Sequence, residues 1–114
     1  KPYHQQEIAT WEKIIKEALA QRPVLRDVCL FAQPISRVDL TGVEVLGSIR
    51  RLLESKGVRL HLSGLKLPAQ QILERADLLA PGPMLACYRT DAEALAALKA
   101  MAELDQAGNA RPKE

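Results

Sequence analysis

Few side chains in this 114-residue sequence have types and spacings that could support chemistry. The segment 39–44 (DLTGVE) places a carboxylate, a hydroxyl and a glycine just before an apolar helical pattern. Asp39 could act as a metal ligand or a catalytic carboxylate, but no second Asp, Glu or His stands near it at a recognisable metal-ligand spacing. We therefore expect Asp39 to bond backbone amides in the turn, where its charge also complements the helix dipole.

Thr41 has two interpretations, which differ in what its hydroxyl does. Residues 41–44 (TGVE) have the form of a capping box, in which the Thr41 hydroxyl bonds the amide of Glu44 and the Glu44 carboxylate bonds back. Such a cap is worth about 1 kcal/mol. Alternatively, Thr41 is phosphorylated and the helix N-terminus favours the phosphate, although Glu44 would repel it. We favour the cap, and keep Asp39, Thr41 and Gly42 as a candidate phospho-switch or partner-docking site.

The remaining reactive side chains do not complete a catalytic set. His61 is at a polar position of a strand pattern, and we expect it to face solvent or a sheet edge, with no Ser or Cys arranged as a nucleophile beside it. Cys29 and Cys87 lie far apart in apolar runs, so we expect reduced, buried thiols. There is no glycine-rich phosphate-binding motif. The sequence therefore predicts no catalytic residues, no metal and no cofactor.

A group of basic residues surrounds the end of the second predicted helix: Arg50, Arg51, Lys56 and Arg59. Cations at a helix C-terminus complement the helix dipole, and this is the interpretation we favour. The alternative is a cluster that faces a membrane or an acidic protein surface.

The composition is that of one globular domain, with 47% apolar and 26% charged residues. A formal charge of +2 argues against a nucleic-acid partner, because such proteins need a broad basic surface. Helical spacing of apolar residues predicts helices at about 8–22, 42–56 and 91–104, with a shorter one opening near Pro68.

Between these helices, apolar runs predict three strands, at 27–32, 58–63 and 84–89. Strands linked through helices pair in parallel with right-handed crossovers, so the predicted fold class is α/β, a small and mainly parallel sheet with four helices. Arg59, His61 and Ser63 share one face of their strand. We therefore expect part of that sheet face to lie uncovered by helix.

Four stretches, in order, resemble the STAS domain family. Residues 36–46 (SRVDLTGVEVL) are similar to its signature, an Asp, a variable residue, a Ser or Thr, then Gly or Ala, followed by an apolar helix. Residues 56–65 (KGVRLHLSGL) look like its next strand and loop, 72–79 (ILERADLL) like its third helix, and 90–95 (TDAEAL) like the start of its last helix. The resemblance covers about 26–104.

The resemblance implies a STAS-like (SpoIIAA-like) fold and a regulatory function without enzymatic activity. The ERADLL ending of helix three and the distinct last helix look more like the SulP anion-transporter branch. This branch implies a cytosolic regulatory domain on the cytoplasmic side of the inner membrane. Its partners would be the transmembrane domain of the same transporter, other cytosolic proteins or a second copy. The transported anion would be sulfate, bicarbonate or a dicarboxylate.

Two alternatives remain. One is a free-standing signalling protein that resembles the anti-sigma-factor antagonists and is switched by phosphorylation at Thr41. The other is a flavodoxin-like enzyme, which would need a convergent polar site at the carboxyl ends of the strands.

STAS domains begin with two strands before the first helix, whereas this chain begins with a helix. We therefore expect an N-terminally incomplete STAS domain at 1–104, followed by a flexible tail at 105–114.

Overall fold

The structure, a computed structural model, describes residues 8–35, 37–80 and 82–109, and the side chains of Ala9 and of residues 105–109 are outside this description. Three parallel strands form its sheet: β1 (Asp27–Phe31), β2 (Arg59–Ser63) and β3 (Leu85–Tyr88). Their order is β1-β2-β3, so β2 is the central strand. The predicted parallel sheet is confirmed.

Four helices alternate with the strands: α1 (Ile8–Gln21), α2 (Leu40–Ser55), α3 (Leu67–Arg75) and α4 (Asp91–Asn109). Each strand is therefore joined to the next by a helix, as parallel pairing requires. Helix α4 extends to Asn109, where the sequence predicted an end near Leu104 and a loose tail from Asp105. The segment 105–109 has no proline to stop the helix. The rest of the predicted tail, 110–114, lies outside the described residues.

One face of the sheet packs with α1, α2 and α3 into a single apolar core. Alternate strand residues point into this core because successive side chains of a strand face opposite sides. Each helix contributes a row of buried side chains, and in α1 this row includes Trp11. The core includes Ile15, Leu30, Leu46, Ile49, Leu53, Leu60, Leu62, Leu73 and Leu85. Because the core holds so few aromatic rings, it depends on close packing of Leu and Ile.

The opposite face of the sheet is polar on β2 and is partly covered by α4. Helix α4 packs against β2 and β3, and the Ser63 hydroxyl donates a hydrogen bond to Asp91 at the start of α4. His61 and Ser63 are only 1% and 0% exposed. The prediction that part of this face lies uncovered therefore fails at His61 and Ser63, whereas the Arg59 side chain at the start of β2 is 35% exposed. On β1, by contrast, Phe31 remains 41% exposed.

The two cysteines are unpaired, but their environments differ from the prediction. Cys29 is half-buried, and Cys87 is exposed rather than buried. Cys87 lies on β3, which has a strand neighbour on one side only among the described residues. Burial raises the pKa of Cys29, so this thiol is not activated as a thiolate.

None of the helices in the described ranges combines the length and the apolar character that crossing a bilayer requires.

Candidate functional site

The junction between β1 and α2 contains the predicted signature, and Asp39 forms its cap. Asp39 has an extended backbone conformation, and its carboxylate oxygen Oδ1 accepts a hydrogen bond of 2.9 Å from the amide of Gly42. The first turn of a helix has amides without intrahelical partners, and a carboxylate there satisfies one of them while complementing the dipole. The predicted structural role of Asp39 is confirmed.

The capping box predicted at Thr41 is wrong. Because Asp39 caps the helix, α2 begins at Leu40, and Thr41 is already the second helical residue. Its side chain is exposed, and within the described part of the chain its hydroxyl has no hydrogen-bond partner. A capping arrangement forms instead at the start of α4, where the Thr90 hydroxyl accepts from the Glu93 amide and the Glu93 carboxylate accepts from the amide of Arg89, the residue before Thr90.

Gly42 lets α2 start close to α1. A Cβ atom at Gly42 would lie 3.3 Å from the Cδ1 atom of Ile8 and 3.5 Å from the Cγ1 atom of Val38. The first distance is slightly shorter than an ordinary contact, so a methyl group would require the Ile8 side chain to shift by a few tenths of an ångström, and the second is an ordinary contact. Of the three residues in the candidate site, Asp39 therefore caps the helix, Gly42 permits close packing, and Thr41 is left at the surface.

Three apolar side chains are exposed at the same edge of the sheet, where the carboxyl ends of the parallel strands meet. Phe31 ends β1 and is 41% exposed, Leu40 begins α2 and is 72% exposed, and Leu67 begins α3 after β2 and is 63% exposed. With Thr41 they form what we call the docking edge (Phe31, Leu40, Thr41 and Leu67). Large apolar side chains that share one exposed edge are typical of a protein contact surface.

The predicted basic cluster does not form one continuous surface of unpaired cations. Arg50 donates to the carbonyl oxygen of Leu78 at 2.8 Å and pairs with Glu54 at 3.1 Å. Arg59 turns to Asp27, with its Nε atom 2.8 Å from Oδ1. Arg51 and Lys56 remain exposed on or beside the end of α2.

A partly buried polar network crosses all three strands on the α4 side of the sheet. Asp27 on β1 accepts hydrogen bonds from Nε and Nη2 of Arg59 on β2, at 2.8 and 3.1 Å. The Nε2 atom of His61 lies 2.8 Å from Oδ1 of Asp27, and its Nδ1 atom lies 3.0 Å from the hydroxyl of Tyr88 on β3. The register explains this arrangement, because Asp27 is directly opposite Arg59. We call these four residues the strand network.

The hydrogen-bond pattern assigns the protons of the strand network. The Asp27 carboxylate can only accept, so Nε2 of His61 carries a proton and donates it. In neutral His61 the Nδ1 atom then accepts from the Tyr88 hydroxyl. Burial alone would raise the pKa of Asp27, but hydrogen bonds from Arg59 and His61 and the charge of Arg59 bring that pKa below its ordinary value.

Chemically, the strand network holds charges in place and activates no nucleophile. Burial, with smaller effects of Cys29 and Asp27, raises the pKa of Tyr88, so its phenol stays protonated. The Asp27 charge is balanced by a bidentate guanidinium. Among the described residues, no group of three His, Cys, Asp or Glu side chains is arranged to hold a metal ion.

Sequence reasoning missed this network and placed His61 wrongly. The prediction of a solvent-facing or edge His61 fails because β2 is the central strand and α4 contributes to covering its polar face. One feature of the sequence could have indicated the strand network. Arg59, His61 and Ser63 are polar at alternate positions, whereas the side chains of a central parallel strand are normally apolar on both faces. The acidic partner Asp27 also begins the preceding strand.

Comparison with models of protein families identifies the family of this chain. No curated protein matches the chain significantly in sequence. The family model of the STAS domain matches residues 3–94, which is most of the chain and includes α1, the Asp39–Gly42 junction and the strand network. Together with the helices and parallel sheet described above, this match shows that the chain belongs to the STAS domain family.

Proposed function

We propose that this STAS domain is a protein-interaction module whose partner binds the docking edge. STAS domains are generally non-enzymatic regulatory modules. The observation that carries the proposal is the exposure of Phe31 at the end of β1, Leu40 at the start of α2 and Leu67 at the start of α3. Burying one large apolar side chain contributes about 1.5–3 kcal/mol, so two or three of them could anchor a partner. Such anchors, surrounded by polar residues, are common in protein interfaces.

The partner we propose is the transmembrane domain of a SulP-type anion transporter that includes this chain. The support is the resemblance in sequence, namely the segment 74–79 (ERADLL), which spans the end of α3 and the residues after it, and the separate last helix. In this proposal the domain lies on the cytoplasmic side of the cell membrane and regulates assembly or transport of sulfate, bicarbonate or a dicarboxylate. Other cytosolic proteins, or a second copy of the domain, would bind the same edge. The exposed residues Arg51 and Lys56 lie near the other end of α2, away from the docking edge, and would contact a separate acidic surface.

A phosphorylation switch at Thr41 is the second candidate, and one observation favours it. Asp39 makes the cap hydrogen bond of α2, so phosphorylation of the exposed Thr41 hydroxyl would not break that bond. The first turn of α2 would favour a phosphate through the helix dipole. Against this, the carboxylates of Asp39 and Glu44 lie in or next to the same turn and would repel it. If Thr41 is such a switch, the chain would belong to a free-standing signalling protein.

A matched pair of variants tests the docking edge. In cells that produce the full-length parent protein, Leu40→Asp should reduce uptake of the transported anion and weaken crosslinking between the domain and the membrane helices. Leu104→Asp is the control, because Leu104 is 73% exposed against 72% for Leu40 and lies at the far end of α4. Equal effects of the two variants would contradict the docking edge. Thr41→Glu should act only if the phosphorylation switch exists.

A further inference from the structure

A groove lies at the opposite end of the sheet from the docking edge, between the α1–β1 turn and α4. Residues 21–27 form one side, and Leu98 and Ala102 of α4 form the other. Its volume is about 620 Å³, within the range of roughly 300–1,000 Å³ typical of small-ligand sites. Most of its side chains are apolar, including Val24 and Leu25. The groove can therefore hold the apolar part of a small molecule.

The turn that forms one side of the groove is held by backbone hydrogen bonds. The Arg22 amide donates to the Ala18 carbonyl at 2.9 Å, and the Leu25 amide donates to the Arg22 carbonyl at 3.1 Å. The carbonyl of Arg26 accepts from the amide of Arg59 at 2.8 Å, which ties the end of the turn to the sheet. The backbones that carry both groove arginines are thus positioned before any ligand arrives, which lowers the entropy cost of binding.

The groove has an excess of positive charge. Arg22 and Arg26 are exposed lining residues, and no carboxylate of the described residues lies within ion-pair distance of either. Asp27 also lines the groove, but its carboxylate is engaged by the guanidinium of Arg59 and by His61. The strand network therefore leaves the charges of Arg22 and Arg26 unbalanced, and a guanidinium is well suited to bind a carboxylate or a phosphate.

We propose that this groove binds a small amphipathic anion, with a carboxylate or phosphate group on Arg22 and Arg26 and an alkyl chain against Leu25, Leu98 and Ala102. The site is distinct from the docking edge and does not depend on which partner binds there. Val24, at the edge of the groove, would contact the same alkyl chain. The apolar side chains and the two arginines line one groove, which is the arrangement that such an anion requires.

The test is a titration of the whole 114-residue chain, followed by amide chemical shifts. Octyl phosphate and octanoate are the probes, and they distinguish the two head groups. Inorganic phosphate and 1-octanol are the head-only and chain-only controls. We expect saturable shifts at residues 22–27 and around Leu98. We also expect at least one amphiphile to bind at least tenfold more tightly than either control.

Two variants decide between this site and a general charge effect. Arg22→Glu/Arg26→Glu should weaken amphiphile binding at least tenfold. Lys13→Glu/Lys56→Glu, which makes the same change in net charge at exposed positions outside the groove, should change binding less than twofold. Val24→Ser, at a side chain that is 86% exposed, should weaken amphiphile binding while leaving inorganic phosphate unaffected. The proposal is overturned by equal losses in both charge variants, by controls that bind as tightly as the amphiphiles, or by no saturation.

Discussion

Removing the Asp27 carboxylate should destabilise the fold by about 2–4 kcal/mol, and the structure gives the reasons. Asp27 accepts two hydrogen bonds from Arg59 and one from His61. The pair with Arg59 is partly exposed, at 19% and 35% for the two side chains, so it contributes about 1 kcal/mol, as do pairs near a surface. The larger loss is at His61, which is 1% exposed. Its Nε2–H would become a buried donor without a partner, which costs about 1–3 kcal/mol.

Urea unfolding followed by circular dichroism measures this effect in Asp27→Ala. The free energy of unfolding should fall by about 2–4 kcal/mol with an unchanged m-value. The double variant Asp27→Ala/His61→Ala should cost at least about 1 kcal/mol less than the sum of the two single variants, because the unsatisfied donor is then absent. A loss below about 1 kcal/mol for Asp27→Ala, or strict additivity, would refute the role we assign to the strand network.

Three further predictions concern pH, the α2 cap and one glycine. The pKa of Asp27 is lowered in the folded state, so its contribution to the free energy of unfolding is present above the unfolded pKa of about 4 and is lost as pH falls through the folded pKa. The difference in free energy of unfolding between the unmodified chain and Asp27→Ala should therefore shrink on acidification. A difference that stays constant from pH 7 to pH 2 would be inconsistent with this. Asp39→Ala should lower the free energy of unfolding in urea by about 1 kcal/mol, whereas Thr41→Ala should change it by no more than about 0.5 kcal/mol. A larger loss for Thr41→Ala than for Asp39→Ala would show that Thr41 is the cap. Gly57 has a φ of 69°, so Gly57→Ala should destabilise the chain by about 1 kcal/mol and lower its melting temperature, while Lys56→Ala next to it should have little effect.

The sequence predicted the elements well because its apolar periodicity is strong. The stripe of α1 ends before Pro23, and Gly57 stands where the left-handed conformation is needed after α2. Pro23 and Gly57 each mark the end of a helix through the backbone conformation of a single residue, which the sequence shows without any tertiary contact. The end of α4 was harder to predict, because the segment 105–109 is polar but has no residue that forces the helix to stop before Pro112.

The candidate site was predicted only where local chemistry decides it. Asp39 caps α2 through a contact three residues away, which sequence shows directly. The prediction failed at Thr41 because two residues competed for one helix start, and the carboxylate nearer the strand became the cap. The burial of His61 depends on the central place of β2 and on α4, both distant in sequence. Such contacts follow from tertiary packing and not from the spacing of residues.

The location of the docking edge is the central claim, and hydrogen exchange tests it most directly. Amide exchange would be compared between this chain alone and the transporter that we propose includes it. We expect slower exchange in the proposed transporter at residues 37–44 and at the start of α3, with residues 98–104 of α4 unchanged. Exchange that is equal at 37–44 in both proteins, or protection confined to α4, would contradict it.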